Sequence, residues 1–184
     1  GYVNQVGGQD ELVFEGGSFV VDDSGRLVAR APLFTESLLV VDIDIADRDT
    51  RVTPNISLNS STPPPQRASN PAEIVDSMSG DDELYEALVV GTRDYCRKNG
   101  FSDVVIGLSG GIDSTLVACI AVDALGAEHV HGVAMPSRYS SDHSLRDAEA
   151  LAKNLGIDMR TISIEPAFAA YMDMLDPSFH GRQP

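Results

Sequence analysis

Basic residues, cysteines and long apolar runs are scarce in this sequence, and each scarcity excludes a class of protein. Thirteen Lys and Arg against 28 Asp and Glu give a formal charge of −15. Nucleic-acid scaffolds and proteins of anionic membranes need a basic face and are therefore excluded, whereas a phosphate ligand needs only a local positive pocket. Two cysteines, Cys96 and Cys119, cannot form a disulfide framework and favour a reducing compartment, here the cytoplasm. No run approaches the roughly 18 apolar residues of a membrane span.

The composition is that of a folded protein of one domain or slightly more. Hydrophobic residues make up 42% and charged residues 22% of the 184, which is enough to build a core. The sequence starts at Gly1 without a Met, and its last residues do not resemble a natural end. We therefore expect a piece of a longer protein.

The chain divides into three parts, of which the first, residues 1–46, is typical of strands. The turn from Asp22 to Gly25 predicts a hairpin, with a positive φ at Gly25. A sheet of about 46 residues cannot bury both of its faces by itself. We therefore expect this part to be the end of a larger domain. Strands are predicted at 12–14, 18–21, 27–29 and 38–43.

The second part, residues 47–80, is rich in Ser and Asn and contains no aromatic residue. Its composition predicts an extended, semi-rigid connector. Half of the prolines lie here: Pro54, Pro63, Pro64, Pro65 and Pro71.

The third part, residues 81–184, alternates helices and strands. A helix from Asp81 to Asn99 is predicted with Leu84, Leu88 and Tyr95 on one face. Strands with intervening helices in this order predict a doubly wound parallel sheet of the α/β class. The remaining predicted elements are strand 104–108, helix 114–125, strand 131–135, helix 142–155, strand 159–164 and a helix from Pro166.

A glycine-rich turn joins the first of these strands to a helix. Backbone N–H groups at such a helix N-terminus bind anions, and Ser109 and Ser114 add hydroxyl donors. Asp113 would repel a phosphate unless a cation intervened, so we infer Mg²⁺ with Asp113 as a ligand. The loop predicts ATP binding by Gly107, Leu108, Ser109, Gly110, Gly111, Ile112, Asp113 and Ser114.

The loop matches neither common phosphate-binding motif, because it has no Lys for a Walker loop and lacks G-x-G-x-x-G. A purely structural alternative is a glycine-rich turn in which Asp113 complements the helix dipole and Ser114 is the cap.

The loop after the next strand should lie beside this turn, at the same edge of the sheet. Val133 and Met135 are predicted to contact the nucleotide, Met135 as an apolar wall for a purine. Arg138 would supply the positive charge that the first loop lacks. Ser141 and Asp142 are interpreted as helix-capping residues.

These motifs carry a family resemblance. S-G-G-x-D-S at 109–114 resembles the pyrophosphate loop of N-type ATP pyrophosphatases, and together with 132–142 and its spacing it is similar to NAD synthetases. Residues 2–18 resemble the late strands of a nitrilase-type amidase domain, which is fused to the synthetase in glutamine-dependent NAD synthetases. The resemblance implies an adenine nucleotide alpha-hydrolase-like sheet preceded by the last strands of a nitrilase-type sandwich.

The resemblance also implies a reaction, in which ATP and Mg²⁺ adenylate deamido-NAD and ammonia from glutamine then displaces AMP. It implies a homo-oligomer for the full-length protein, whereas the acidic balance predicts no nucleic-acid or membrane partner. No catalytic residue of the glutaminase is expected in this chain, because the family's Glu, Lys and Cys precede the position of Gly1. We expect this piece alone to have neither glutaminase nor full synthetase activity.

The remaining candidate nucleophiles and ligands are interpreted as structural. Cys96 and Cys119 lie in predicted helices away from any amidase strand. The four histidines, at 129, 131, 143 and 180, have no metal-ligand spacing.

Two alternative functions stay open. One is another ATP-pyrophosphatase amidotransferase, making GMP, asparagine or a thiolated tRNA. The other is a non-catalytic nucleotide-binding module, which would differ in needing no Mg²⁺ for binding.

Overall fold

The computed structural model describes residues 1–43 and 73–179. Contacts divide them into two compact units, one of residues 1–6, 14–43 and 73–78 and one of residues 7–13 and 79–179. The connector prolines and His180 lie outside the described residues, and the three-part division of the sequence stays a prediction. Within the described ranges, no helix has both the length and the apolar character needed to cross a bilayer.

Short strands form the first part of the chain. They are β1 (Val6–Gln9), β2 (Leu12–Glu15), β3 (Phe19–Val21) and β4 (Leu27–Arg30), and they pair as β1 with β2 and β3 with β4. The predicted turn joins β3 and β4, which are antiparallel. Gly25 has a φ of 83°. The Asp22 carboxylate accepts hydrogen bonds from the N–H groups of Ser24 (2.9 Å) and Arg26 (3.0 Å). The local sequence thus determines this hairpin.

Two strand assignments in this part are corrected. Residues 38–43 form no strand, and Leu38 is 89% exposed. A β-favouring run becomes a strand only where a partner supplies hydrogen bonds, and none of the described strands pairs with this one. Conversely, β1 was missed because Gly7 and Gly8 lower its β propensity.

The third part, as far as residue 179, has the predicted alternation. Its sheet consists of three parallel strands in the order β5–β6–β7. Val104 of β5 pairs with Val130 of β6, and His131 of β6 pairs with Asp158 of β7. Most element ends differ from the prediction by one or two residues, although β7 ends three residues early. The elements are α1 (Asp81–Lys98), β5 (Val104–Gly107), α2 (Ile112–Leu125), β6 (Val130–Ala134), α3 (Asp142–Leu155), β7 (Asp158–Thr161) and α4 (Glu165–Leu175), with short 3₁₀ turns at Ala127–His129 and Asp176–Ser178.

The core of this unit lies between the sheet and the helices α2 and α3. Ala118 and Ala148 are fully buried against Val130, and Leu108 belongs to the same cluster. A Cβ at Gly132 would lie 2.6 Å from Leu108 Cδ1, so the glycine makes room for this side chain. Small residues on both helices let them approach the sheet closely, which fixes the loops at its edge.

The buried face of α1 differs from the predicted one. Leu84, Leu88 and Tyr95 are between 44% and 61% exposed. Val89 instead packs with Ile120 of α2, and Cys96 is buried. Leu84, Leu88 and Tyr95 do share one face of α1, but α2 packs against the neighbouring face. Which face is buried therefore depends on the position of the packing helix, and apolar periodicity alone does not determine it.

Candidate functional site

The loops that follow β5 and β6 meet at one edge of the sheet. Adjacent parallel strands end at the same edge, so the residues after Gly107 and after Ala134 become neighbours. Together with the first turn of α3 they enclose a cavity of about 390 Å³. Its lining consists of Gly107, Leu108, Ser109, Ala134, Met135, Pro136, Tyr139, Ser140, Ser141, Ser144 and Leu145.

Hydroxyl groups brace the glycine-rich turn internally. Ser109 Oγ lies 3.1 Å from Ser114 Oγ and accepts a hydrogen bond from Gly111 N–H at 3.2 Å. Ser114 and Thr115 both donate side-chain hydrogen bonds to the Gly111 carbonyl, at 3.0 and 2.9 Å. The two serines that were predicted to bind phosphate are therefore in contact, and a ligand would take over hydrogen bonds that now lie within the turn.

Gly110 permits the closest approach in the site. Its φ is 76°, a region that L side chains rarely adopt. A Cβ on Gly110 would lie 2.8 Å from Ser144 Cα and closer still to the Ser144 carbonyl oxygen. The turn thus packs its backbone directly on the first turn of α3.

The N-terminus of α2 has the geometry of an anion site. The helix begins at Ile112 after Gly111, and none of the described side chains caps it. Its first-turn N–H groups have no intrahelical acceptor, and the helix dipole adds partial positive charge at this end. Ser114 is the third helical residue, so the structural alternative in which it acts as the N-cap is wrong.

Asp113 is exposed in this first turn. One carboxylate suits Mg²⁺, which commonly binds one or two carboxylates together with substrate phosphates and water. Among residues 1–43 and 73–179, no group of three or more His, Cys, Asp or Glu could hold a metal ion by itself. The two histidines near β6, His129 and His131, instead lie within 3.5 Å of Asp103.

Arg138 does not line the cavity and is held by Glu165 at the start of α4. Its backbone N–H donates to Glu165 Oε2 at 3.0 Å and its Nε donates to Oε1 at 2.7 Å, with a further contact from Nη2. These bonds raise the pKa of Arg138 and lower the pKa of Glu165. The guanidinium also lies 5.2 Å from the ring centre of Phe168, and Tyr139 meets that ring edge-on. The β6 loop is thereby tied to α4.

Some of the predicted nucleotide contacts line this cavity and others do not. Of the predicted nucleotide contacts, Gly107, Leu108, Ser109 and Met135 line it. Val133 lines a separate cavity of about 300 Å³ together with Val105 and Ile162. The missed residues include Ser144 and Leu145, whose signal was their position in the helix turn that follows the β6 loop. Ser141 caps α3 as interpreted, its Oγ accepting from Ser144 N–H at 3.1 Å.

The remaining predicted contacts lie at the rim of the cavity or beyond it. Gly110, Gly111, Ile112, Asp113 and Ser114 continue from the lining residue Ser109 into α2. A cavity with apolar side chains on one part of its wall, beside a helix N-terminus, can hold a flat ring and an attached polyphosphate at once. That combination fits a nucleotide.

Comparisons with known proteins agree with this geometry. Residues 84–181 match the family model described as NAD synthase, and residues 1–51 match the one described as carbon-nitrogen hydrolase. The chain is 49% identical to a glutamine-dependent NAD(+) synthetase from Synechocystis, over 97% of this chain and 29% of that protein. It is 44% identical to the one from Thermotoga maritima, over 100% of this chain and 34% of that protein.

A solved structure resembles the whole chain. The glutamine-dependent NAD+ synthetase from Acinetobacter baumannii, in complex with ADP, superposes with a TM-score of 0.82 at 38% identity, covering 100% of this chain and 31% of that one. The chain thus spans about a third of the length of the relatives it matches. The NAD synthase match covers more than half of the chain, and with the parallel sheet and its glycine-rich loop it shows that the chain belongs to the NAD synthase family.

Proposed function

We propose that the whole protein converts deamido-NAD to NAD, using ATP and ammonia released from glutamine. The observation that carries the proposal is the cavity at the sheet edge, with the N-terminus of α2 and the Ser109 to Ser114 turn beside an apolar wall. The order of the two family matches, carbon-nitrogen hydrolase before NAD synthase, supports glutamine as the ammonia source.

The chemistry follows from the poor reactivity of a carboxylate. An oxygen of the nicotinate carboxylate attacks the α-phosphorus of ATP, and the bond to pyrophosphate breaks. Ammonia then attacks the activated carbonyl carbon, and AMP leaves with that carboxylate oxygen. Little covalent work falls to the protein, which has to hold the polyphosphate in line and stabilise the charge that develops on it.

The residues divide these tasks. The turn at 109–114 and the first N–H groups of α2 would bind the pyrophosphate moiety, and Met135 would lie against the adenine. Asp113 would hold Mg²⁺, which would supply positive charge to the phosphate oxygens. Arg138 would contact the nucleotide only after exchanging Glu165 for a phosphate oxygen. Homo-oligomeric assembly stays a prediction from the family resemblance, and a cytoplasmic location stays a prediction from the scarcity of cysteine.

The test is pyrophosphate release by the whole protein with ATP, Mg²⁺ and either glutamine or ammonia, with acceptors supplied in turn. We expect release with deamido-NAD, and a loss of at least about 100-fold in Asp113→Asn. Asp147→Asn, an exposed acid on α3, is the matched control and should retain activity.

Other outcomes would favour the alternatives. Release with a different carboxylate acceptor would indicate another amidotransferase. Mg²⁺-independent ATP binding without any pyrophosphate release would indicate a non-catalytic module.

A further inference from the structure

A seam of close backbone contacts joins residues 7–13 to helix α1 within one compact unit. Gly8 is buried there, and a Cβ at this position would lie 3.1 Å from Gly91 Cα and 3.3 Å from Asp94 Cβ. A Cβ at Gly91 would in turn lie 3.2 Å from Val13 Cγ2. The two backbones approach this closely because glycine faces glycine across the seam.

Two side chains of α1 bind the backbone N–H and the backbone carbonyl of Gly8. Asp94 Oδ2 accepts a hydrogen bond from Gly8 N–H at 2.8 Å, and Lys98 Nζ donates to the Gly8 carbonyl. Asp94 and Lys98 are four residues apart and therefore project from the same side of the helix. Desolvation opposes ionisation of Asp94, but the Gly8 N–H and Arg93 outweigh it and lower its pKa. The acceptor is thus an ionised carboxylate, which makes the hydrogen bond charge-assisted.

The opposite side of α1 packs on the helix that starts at the nucleotide loop. At about 100° per residue, Tyr85 and Val89 project away from Gly91, Asp94 and Lys98. Val89 packs with Ile120 and Ala124 of α2, and Tyr85 donates to Asp123 at 2.6 Å. Helix α1 therefore lies between residues 7–13 and α2.

The seam joins the two family matches. Residues 7–13 fall inside the carbon-nitrogen hydrolase match, and Gly91, Asp94 and Lys98 fall inside the NAD synthase match. Ammonia supplied in solution would reach the synthetase site by diffusion, whereas direct transfer of ammonia made from glutamine would require the two parts to be held in a fixed arrangement. A contact between the parts should therefore affect only the second source.

We propose that Asp94 and Lys98 are positioning residues that keep residues 7–13 seated on α1, and that this seam couples glutamine hydrolysis to amidation. The proposal rests on the proposed function. It assigns to the seam no contact with substrate and no part in either chemical step.

The test compares two ammonia sources in the whole protein. The glutamine-supported rate of NAD formation should fall in each of three variants, Gly8→Val, Asp94→Ala and Lys98→Met. The fall should be about fivefold or more where the substitution leaves a buried hydrogen-bonding group without its partner. The ammonia-supported rate should change less than about twofold. Glutamate released per NAD formed should rise several-fold, because ammonia escapes. Arg97→Met removes the neighbouring charge of the same helical turn and should change neither rate.

The outcomes separate the two proposals. An equal loss of both rates would mean that the seam is only structural and would overturn the inference, as would unchanged rates with an unchanged glutamate ratio. A wild-type protein that uses neither ammonia source would overturn the proposed function itself, and the coupling role with it.

Discussion

The missing side chain of Gly110 allows the nucleotide loop and α3 to touch, and a substitution can measure how much this contact contributes. Gly110→Ala adds a methyl group that collides with the Ser144 backbone, on top of the strain of a positive φ. Gly100→Ala is a matched control, because its φ of 75° imposes the same strain while nothing lies within 4 Å. The control should lose about 1–2 kcal/mol of unfolding free energy.

We expect Gly110→Ala to lose about 1–3 kcal/mol more than this control, because an overpacked backbone cannot rotate away. Urea denaturation of both variants, read by circular dichroism, measures the difference. Nucleotide binding should weaken in Gly110→Ala alone. Equal losses of stability in the two variants would contradict the packing account.

Tyr85 offers a second prediction for a single residue. Its hydroxyl donates to Asp123, and this hydrogen bond, together with burial and the nearby negative charge, raises its pKa to about 12. Because the folded-state pKa exceeds the ordinary value of 10.0, the stabilisation is complete below pH 10 and is lost as the pH rises through about 12. Absorbance titration should show a late tyrosinate component that Tyr85→Phe removes. A component that survives in Tyr85→Phe would mean that another tyrosine titrates late.

Among the elements, the start of α4 supports the β6 loop through the pair of Arg138 and Glu165. Glu165→Gln removes the charge that holds the guanidinium but preserves the shape of the side chain. The pair is largely exposed, and Glu165 would compete with a phosphate oxygen for the guanidinium, so the expected effect is modest, a fall of about two- to fivefold in KM for ATP with kcat nearly unchanged. Glu149→Gln, at an exposed position of α3, is the control. Steady-state kinetics at varied ATP test this, and a fall in kcat alone would argue against a role in nucleotide binding.

Elements whose signals are local could be predicted from the sequence. Helix α1 has acidic residues in its first turn, Arg97 and Lys98 in its last turn, and Asn99 and Gly100 after it. Both of its ends could therefore be predicted from the sequence. The turn at Asp22 could also be predicted, because its signal lies in neighbouring residues of the sequence. Residues 38–43 and the buried face of α1 were not, because strand pairing and burial depend on partners distant in sequence.

The candidate site shows the same division. The glycine-rich turn and the loop with Met135 were found because a strand end, a turn and a helix start follow each other in sequence. That Arg138 is held by Glu165 and Phe168 could not be foreseen, since helix α3, strand β7 and their connecting loops separate these residues in sequence. The contribution of Ser144 and Leu145 depends on how α3 packs against the turn at Gly110.

At the scale of the whole chain, the charge distribution argues against a polyanionic partner. Acidic residues exceed basic ones by 15, and Arg26, Arg93, Arg138 and Arg160 are all paired with acidic neighbours. Lys98 binds the Gly8 carbonyl. An RNA-binding face needs several unpaired cations in a row to release counterions. We therefore expect no salt-dependent binding of tRNA, which is what a tRNA-thiolating enzyme would require.

This expectation is tested by electrophoretic mobility shift with unfractionated tRNA over a range of salt concentrations. The whole protein should leave tRNA unshifted even at low salt, where electrostatic binding is strongest, while Mg·ATP binding persists. A mononucleotide would differ from tRNA in needing only a helix N-terminus, one carboxylate for a metal ion and one exchangeable arginine, and the start of α2, Asp113 and Arg138 lie near the sheet edge. Retention of tRNA that weakens steeply with added salt would contradict this reasoning and favour the tRNA-directed alternative over amidation of a dinucleotide.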